Sequence, residues 1–135
     1  GLTRLTKLQD LTLYNNRISK IENLDTLLDL HVFSIGNNEI KNIKDILYLR
    51  KFSNLRSFNI SNNPICSEQN FRHYVLAFLP DLEFLDYRLI SAQEKSTSHD
   101  VYQNQVEEQT DKDSKAKALA EIKEKYDEEL KIHTK

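Results

Sequence analysis

Apolar residues in the first half of the chain follow a repeated pattern that is neither a simple helical nor a simple strand period. Leu8, Leu11, Leu13 and Ile18 share their internal spacing with Leu30, Phe33, Ile35 and Ile40, and again with Leu55, Phe58, Ile60 and Ile65. Each block carries an asparagine at the same place, and Asn16, Asn38 and Asn63 follow one another at intervals of 22 and 25 residues. Successive side chains of a strand face opposite ways, so each block predicts one short strand that presents its apolar residues to one side. A single block cannot bury that side alone. Stacked blocks make a continuous core, with a stability close to a sum of unit and interface contributions.

A period between about 20 and 29 residues with this internal pattern defines a leucine-rich repeat. The asparagines read as structural, because an amide both donates and accepts and can satisfy main-chain groups left unpaired where the chain leaves a strand. Ile21, Leu24, Leu27 and Leu30 advance in three-residue steps, which predicts a tight, 3₁₀-like return. Asp45 to Phe52 mixes helical and adjacent apolar spacing and predicts a short helix. After Asn63-Pro64-Ile65 a helix is expected with Ser67 as N-cap, Glu68 in its first turn, and Phe71, Tyr74, Val75, Phe78 and Leu79 on one face. Pro80 turns Leu79 away from helix, and Leu82, Leu85 and Tyr87 then take the inward places of a last strand.

The fold class expected is therefore α/β: a leucine-rich repeat solenoid with short parallel strands on its concave face, a C-terminal helical cap, and a charged helix beyond it. Repeats occupy 1-66 and the cap 67-90. Gly1 to Leu5 reads as the return segment of an earlier repeat without a polar cap, so the N-terminal end is expected to be incomplete or covered by a partner. Charged residues are nearly twice as dense after Ser91 as before it. Residues 91-115, with Lys95-Ser96-Thr97-Ser98-His99-Asp100, have the polarity of a linker. Residues 116-135 favour helix, with Leu119, Ile122, Tyr126 and Leu130 on one narrow stripe suited to the start of a coiled coil.

A net charge of -2 with interspersed signs supplies no basic field for nucleic acid. A lone Cys66 excludes an internal disulfide framework. No apolar run approaches the ~20 residues of a membrane span. Two glycines make a phosphate cradle implausible, and His31, His73, His99 and His133 are too scattered for a metal site. Neither enzyme chemistry nor a cofactor is expected, and neither a membrane nor a small-molecule substrate. Asn59-Ile60-Ser61 matches a glycosylation sequon, but it falls on a predicted strand.

Binding chemistry, by this pattern, belongs to the residues between the inward ones. They form three columns across the concave sheet: Asp10, Val32, Ser57 and Phe84; Thr12, Ser34, Asn59 and Asp86; Tyr14, Gly36, Ser61 and Arg88. Arg56 is expected at the rim. Tyr and Arg dominate many protein interfaces, so Tyr14, Phe84 and Arg88 are the strongest candidates within the set Asp10, Thr12, Tyr14, Val32, Ser34, Arg56, Asn59, Phe84, Asp86 and Arg88.

Leu13 to Ile21, Ile35 to Ile40 and the closing Phe78-Leu79-Pro80-Asp81-Leu82 through Leu85-Asp86-Tyr87 resemble the short leucine-rich repeats of phosphatase-regulating and axonemal proteins. With Ile46-Leu47-Tyr48-Leu49-Arg50-Lys51-Phe52 and Asn63-Pro64-Ile65, the resemblance extends to the leucine-rich repeat subunits of the nexin-dynein regulatory complex. That resemblance implies a noncatalytic scaffold in the cytoskeleton of the ciliary or flagellar axoneme. Its repeat surface and coiled coil would engage other subunits of the complex, a dynein motor or the doublet microtubule. The alternative within the same fold is an adaptor regulating a phosphatase or a splicing particle.

Overall fold

The structure is a computed structural model that describes residues 6–133, with side chains as far as 129. The expectations for Gly1 to Leu5 and for the Leu130 side chain lie outside the described residues.

The repeats fold as their pattern requires. Strands β1 (Asp10–Thr12), β2 (Val32–Ser34), β3 (Ser57–Asn59) and β4 (Phe84–Leu85) lie side by side in chain order, each parallel to the last. Leu11, Phe33, Phe58 and Leu85 fall in register on the core side, and all four are buried. Ile35, Ile40, Ile60 and Ile65 are sealed behind them. The return from the first strand is a series of i to i+3 turns, with Leu27 N bonded to Leu24 O and Leu30 N to Leu27 O. This brings Ile21, Leu24, Leu27 and Leu30 into the core at three-residue intervals. The longer second return contains α1 (Asp45–Tyr48), continued by a 3₁₀ turn at Leu49–Lys51.

Asparagines work in pairs at each turn. Asn15, Asn37 and Asn62 adopt positive φ, a conformation Asn tolerates better than most residues. Asn16 bonds only within its own turn, whereas Asn38 and Asn63 bridge neighbouring repeats. Asn38 Nδ2 donates to Ile35 O at 2.9 Å and Gly36 O at 3.0 Å within its own repeat and to Leu13 O at 2.9 Å in the one before, while its Oδ1 accepts from Ile18 N at 3.0 Å. Asn63 repeats the arrangement against Ile35, Ile60, Ser61 and Ile40.

A second clasp holds the convex side. Tyr48 Oη donates to Asp25 Oδ1 at 2.6 Å and accepts from Leu24 N at 2.8 Å, with Lys51 Nζ 4.0 Å from the Tyr48 ring centroid. Burial, reinforced by Asp25, pushes the Tyr48 phenol up to about 12. The Lys51 ammonium and then the Tyr48 hydroxyl hold the Asp25 carboxyl below its usual range.

Three expectations need correction. The capping helix α2 spans Phe71–Phe78, so Ser67 is not its N-cap; Pro64–Ser67 forms a 3₁₀ turn and Asn70, at φ 61°, precedes the helix. Proline at the first position of that turn satisfies it locally and delays the α-helix. Tyr87 does not point inward, because Asp86 and Tyr87 both take positive φ, 50° and 65°. Such a two-residue turn reverses the chain, and β5 (Arg88–Leu89) returns antiparallel to β4.

The third correction concerns the polar stretch expected as a linker. It lies within one helix, α3 (Ala92–His133). Ser91 Oγ accepts from Glu94 N and Glu94 Oε2 accepts from Ser91 N, each at 3.1 Å, a reciprocal capping box. The Ser91 N–H is the main reason the Glu94 carboxyl sits below its usual range. Arg72 NH2 meets Glu94 Oε1 at 3.2 Å and His73 Nδ1 meets the fully buried Ser98 Oγ at 2.9 Å, so α2 steadies the first turns of α3. Polarity by itself did not separate solvated helix from linker. Among the described residues, those up to Val101 and those from Tyr102 onward form two compact units.

Candidate functional site: the concave wall

The parallel register stacks the first column as expected: Asp10 beside Val32, Val32 beside Ser57, and Ser57 beside Phe84. The antiparallel pairing of Phe84 with Leu89 adds a fifth member, since directly opposed residues share a face. Val32, Phe84 and Leu89 are 37%, 40% and 71% exposed, so this column carries an apolar strip.

The second column is a floor. Ser34 and Asn59 are buried. Asn59 Nδ2 donates to Ser34 Oγ and to Tyr87 Oη, both at 3.1 Å, and its Oδ1 accepts from Ser61 Oγ at 2.8 Å and Ser61 N at 3.2 Å. Both amide hydrogens are engaged, so the sequon asparagine faces an internal network. Asp86 closes this column with Oδ1 accepting from Ile60 N at 2.8 Å, in place of a recognition contact. Thr12 and Asp10 are exposed at the β1 side.

Gly36 explains how Tyr14 lies on the wall. A Cβ at Gly36 would come within 2.8 Å of Asn59 Nδ2, closer than side chains sustain, and would crowd the Tyr14 ring at 3.0 Å. The missing side chain thus lets the Tyr14 ring cross the sheet over the second repeat, where it remains 47% exposed. On the other side of Asn59, Tyr87 is 74% exposed and reaches back through its hydroxyl.

Arg88 does not occupy the place assigned from the pattern. Arg88 pairs with Leu85, whose side chain is inward, so Arg88 belongs to the opposite face from Phe84, in a shallow depression with Cys66, Glu68 and Phe71. The reversal at Asp86-Tyr87 is the reason. Arg56 donates to Ser53 O at 2.9 Å and Leu55 O at 3.0 Å, which ties its guanidinium to its own loop. Sequence reasoning missed Tyr87 and Leu89. The available signal was Asp86, a residue that tolerates positive φ and announces a reversal.

Other chemistry is sparse. Cys66 Sγ lies 3.2 Å from Ile60 O, and burial pushes its thiol up, away from the thiolate form. A cleft of about 180 Å³ lined by Leu49, Arg50, Phe52, Phe78, Leu79 and Leu82 is smaller than the roughly 300–1,000 Å³ of small-molecule sites. Among the described residues no group of three His, Cys, Asp or Glu side chains is placed to hold a metal. No described helix is long and apolar enough to cross a membrane.

A stacked parallel sheet with one strand per Asn-turn unit is the architecture of leucine-rich repeat proteins, and a leucine-rich repeat family model matches residues 1–115. The chain belongs to that family and is a protein-interaction module of its kind. It is 41% identical over 92 residues to dynein regulatory complex subunit 3 of Homo sapiens, covering 68% of this chain and 18% of that protein. It is 34% identical over 105 residues to U2 small nuclear ribonucleoprotein A' of Candida albicans, covering 73% of this chain and 43% of that one. The chain therefore spans less than half the length of either relative. Among solved structures, the Drosophila melanogaster SNF/U2A' complex superposes with a TM-score of 0.69 at 24% identity, over 80% of this chain and 64% of the other. That last likeness concerns the fold.

Proposed function

We propose that this chain is a noncatalytic scaffold of the nexin-dynein regulatory complex, acting in dynein-driven motility of cilia and flagella. The similarity to dynein regulatory complex subunit 3 carries this reading. On it, the wall formed by Tyr14, Val32, Phe84, Tyr87 and Leu89 receives another subunit or a dynein motor. The helix beyond Tyr102 bundles with coiled-coil partners at the axoneme. Exposed aromatic residues around a hydrogen-bonded floor supply large contact area at little conformational cost, which suits recognition of a protein surface.

The U2 A' similarity favours a second reading, an adaptor in a splicing particle. Proximity labelling by the tagged chain in ciliated cells separates the two. Axonemal subunits are expected, and the Phe84→Ala/Tyr87→Gly double variant should lose those that dock on the wall. Recovery of nuclear ribonucleoprotein components without axonemal ones would favour the second reading.

A further inference from the structure

The side chains of residues 111–129 of α3 are all exposed. Leu119, Ile122 and Tyr126, at 66%, 65% and 60% exposure, recur three and four residues apart and make one stripe. With Leu119 and Tyr126 at successive a positions of a heptad, Ile122 takes d, while Lys112 and Lys115 take a and d in the heptad before. Lys123 and Lys125 then flank the stripe at e and g. The acidic residues Glu121, Glu124, Asp127 and Glu128 fall at c, f, b and c, on the opposite face. The surface to be covered has an apolar centre at Leu119, Ile122 and Tyr126, flanked by Lys123 and Lys125, with Lys112 and Lys115 ahead of it on the seam and Glu129 behind it, and the back is mostly acidic.

That division of charge selects the partner. In a parallel, in-register pair of this chain Lys112 would meet its own copy, as would Lys115, and Glu129 at d would meet Glu129. In an antiparallel pair that layers Ile122 on Tyr126, e meets e and g meets g, which sets Lys123 against Lys123 and Lys125 against Lys125. Lys112 lies 3.6 Å from Glu108, but so exposed a pair leaves its charge largely intact. An anionic membrane calls for a polar face rich in Lys and Arg, whereas this one is acidic.

Building on the reading of the trailing helix as a partner-binding element, we infer that its stripe docks an amphipathic helix of a different protein, one with acidic margins facing Lys123 and Lys125. Glu or Asp at the flanks of that helix would fix both partner choice and orientation, as e and g charges do in coiled coils.

Two designed four-heptad peptides with Leu at a and d, one with Glu and one with Lys at e and g, test this against the full chain by fluorescence anisotropy at low salt. The Glu peptide is expected to bind about tenfold tighter or more, the Lys123→Glu/Lys125→Glu double variant to reverse the preference, and Ile122→Asp to abolish binding without changing the melting of the repeats. Equal affinity for both peptides, binding of neither, concentration-dependent dimers in sedimentation, or preferential capture by phosphatidylserine vesicles would each overturn it. These readouts involve no axonemal component, so their failure and a failure of ciliary labelling are separate results.

Discussion

The rings of Phe33 and Phe58 stack with centroids 5.9 Å apart and planes 15° apart. They belong to paired positions of β2 and β3 and are 0% and 1% exposed, so each fills the space beneath its neighbour's strand. Truncation leaves a void that the rigid strands above and below cannot close. Phe33→Ala or Phe58→Ala is expected to lose about 3–5 kcal/mol in denaturant unfolding. A loss under about 1 kcal/mol would contradict a close-packed interface.

Asn38 makes four hydrogen bonds across two repeats and is buried. Asn16 is exposed and donates to Leu13 O and Tyr14 O. An unpaired buried carbonyl or amide costs about 1–3 kcal/mol, and an exposed one recovers water. Asn38→Ala should therefore destabilise by several times as much as Asn16→Ala when both are melted side by side.

Gly36→Ala separates the wall from the core. The new methyl would press on the Tyr14 ring and the Asn59 amide, and the ring, being exposed, yields by rotating away. A stability loss of roughly 1–3 kcal/mol is expected and, on the proposed function, a drop in partner capture by the wall. Restored capture in Gly36→Ala carrying Tyr14→Ala would show that Tyr14 obstructs when displaced; continued loss would show that its ring makes the contact.

Asp45 gives the pH dependence. It is buried and accepts from Ile21 N at 3.2 Å, yet burial dominates and raises its carboxyl above the ordinary carboxylate value. The folded state thus holds this proton more tightly than the unfolded chain. The resulting stabilisation is fully present below the unfolded pKa, near 4, and is lost as pH rises through the folded value. At neutral pH the buried charge is a cost. Asp45→Asn keeps an acceptor for Ile21 N and is expected to melt above the parent at pH 7, with the gap shrinking near pH 3. A gap of the same size at both pH values would contradict this.

The recurrence of Leu, Phe, Ile and Asn was enough to define the strands, their order and the inward positions from Leu11 to Phe58, because each unit can bury its apolar face only against the next. The columns Asp10-Val32-Ser57-Phe84 and Thr12-Ser34-Asn59 followed from the same constraint, as register in a one-sided sheet is set by which residues must be inside. Ser91-x-x-Glu94 carries the capping-box signature of a helix start, whereas the polarity of the residues that follow suits a solvated helix and a linker equally.

Sequence alone determined the solenoid, since its repeat expresses a local rule applied again and again. Only the tertiary structure decided the wall's final form. A reversal at Asp86-Tyr87 moved Arg88 to the other face and brought Tyr87 over Asn59, and the bare Cα of Gly36 made room for Tyr14. Those outcomes depend on backbone dihedrals at two residues and on distances between side chains some 20 to 30 positions apart, which no local pattern of apolar and polar residues encodes.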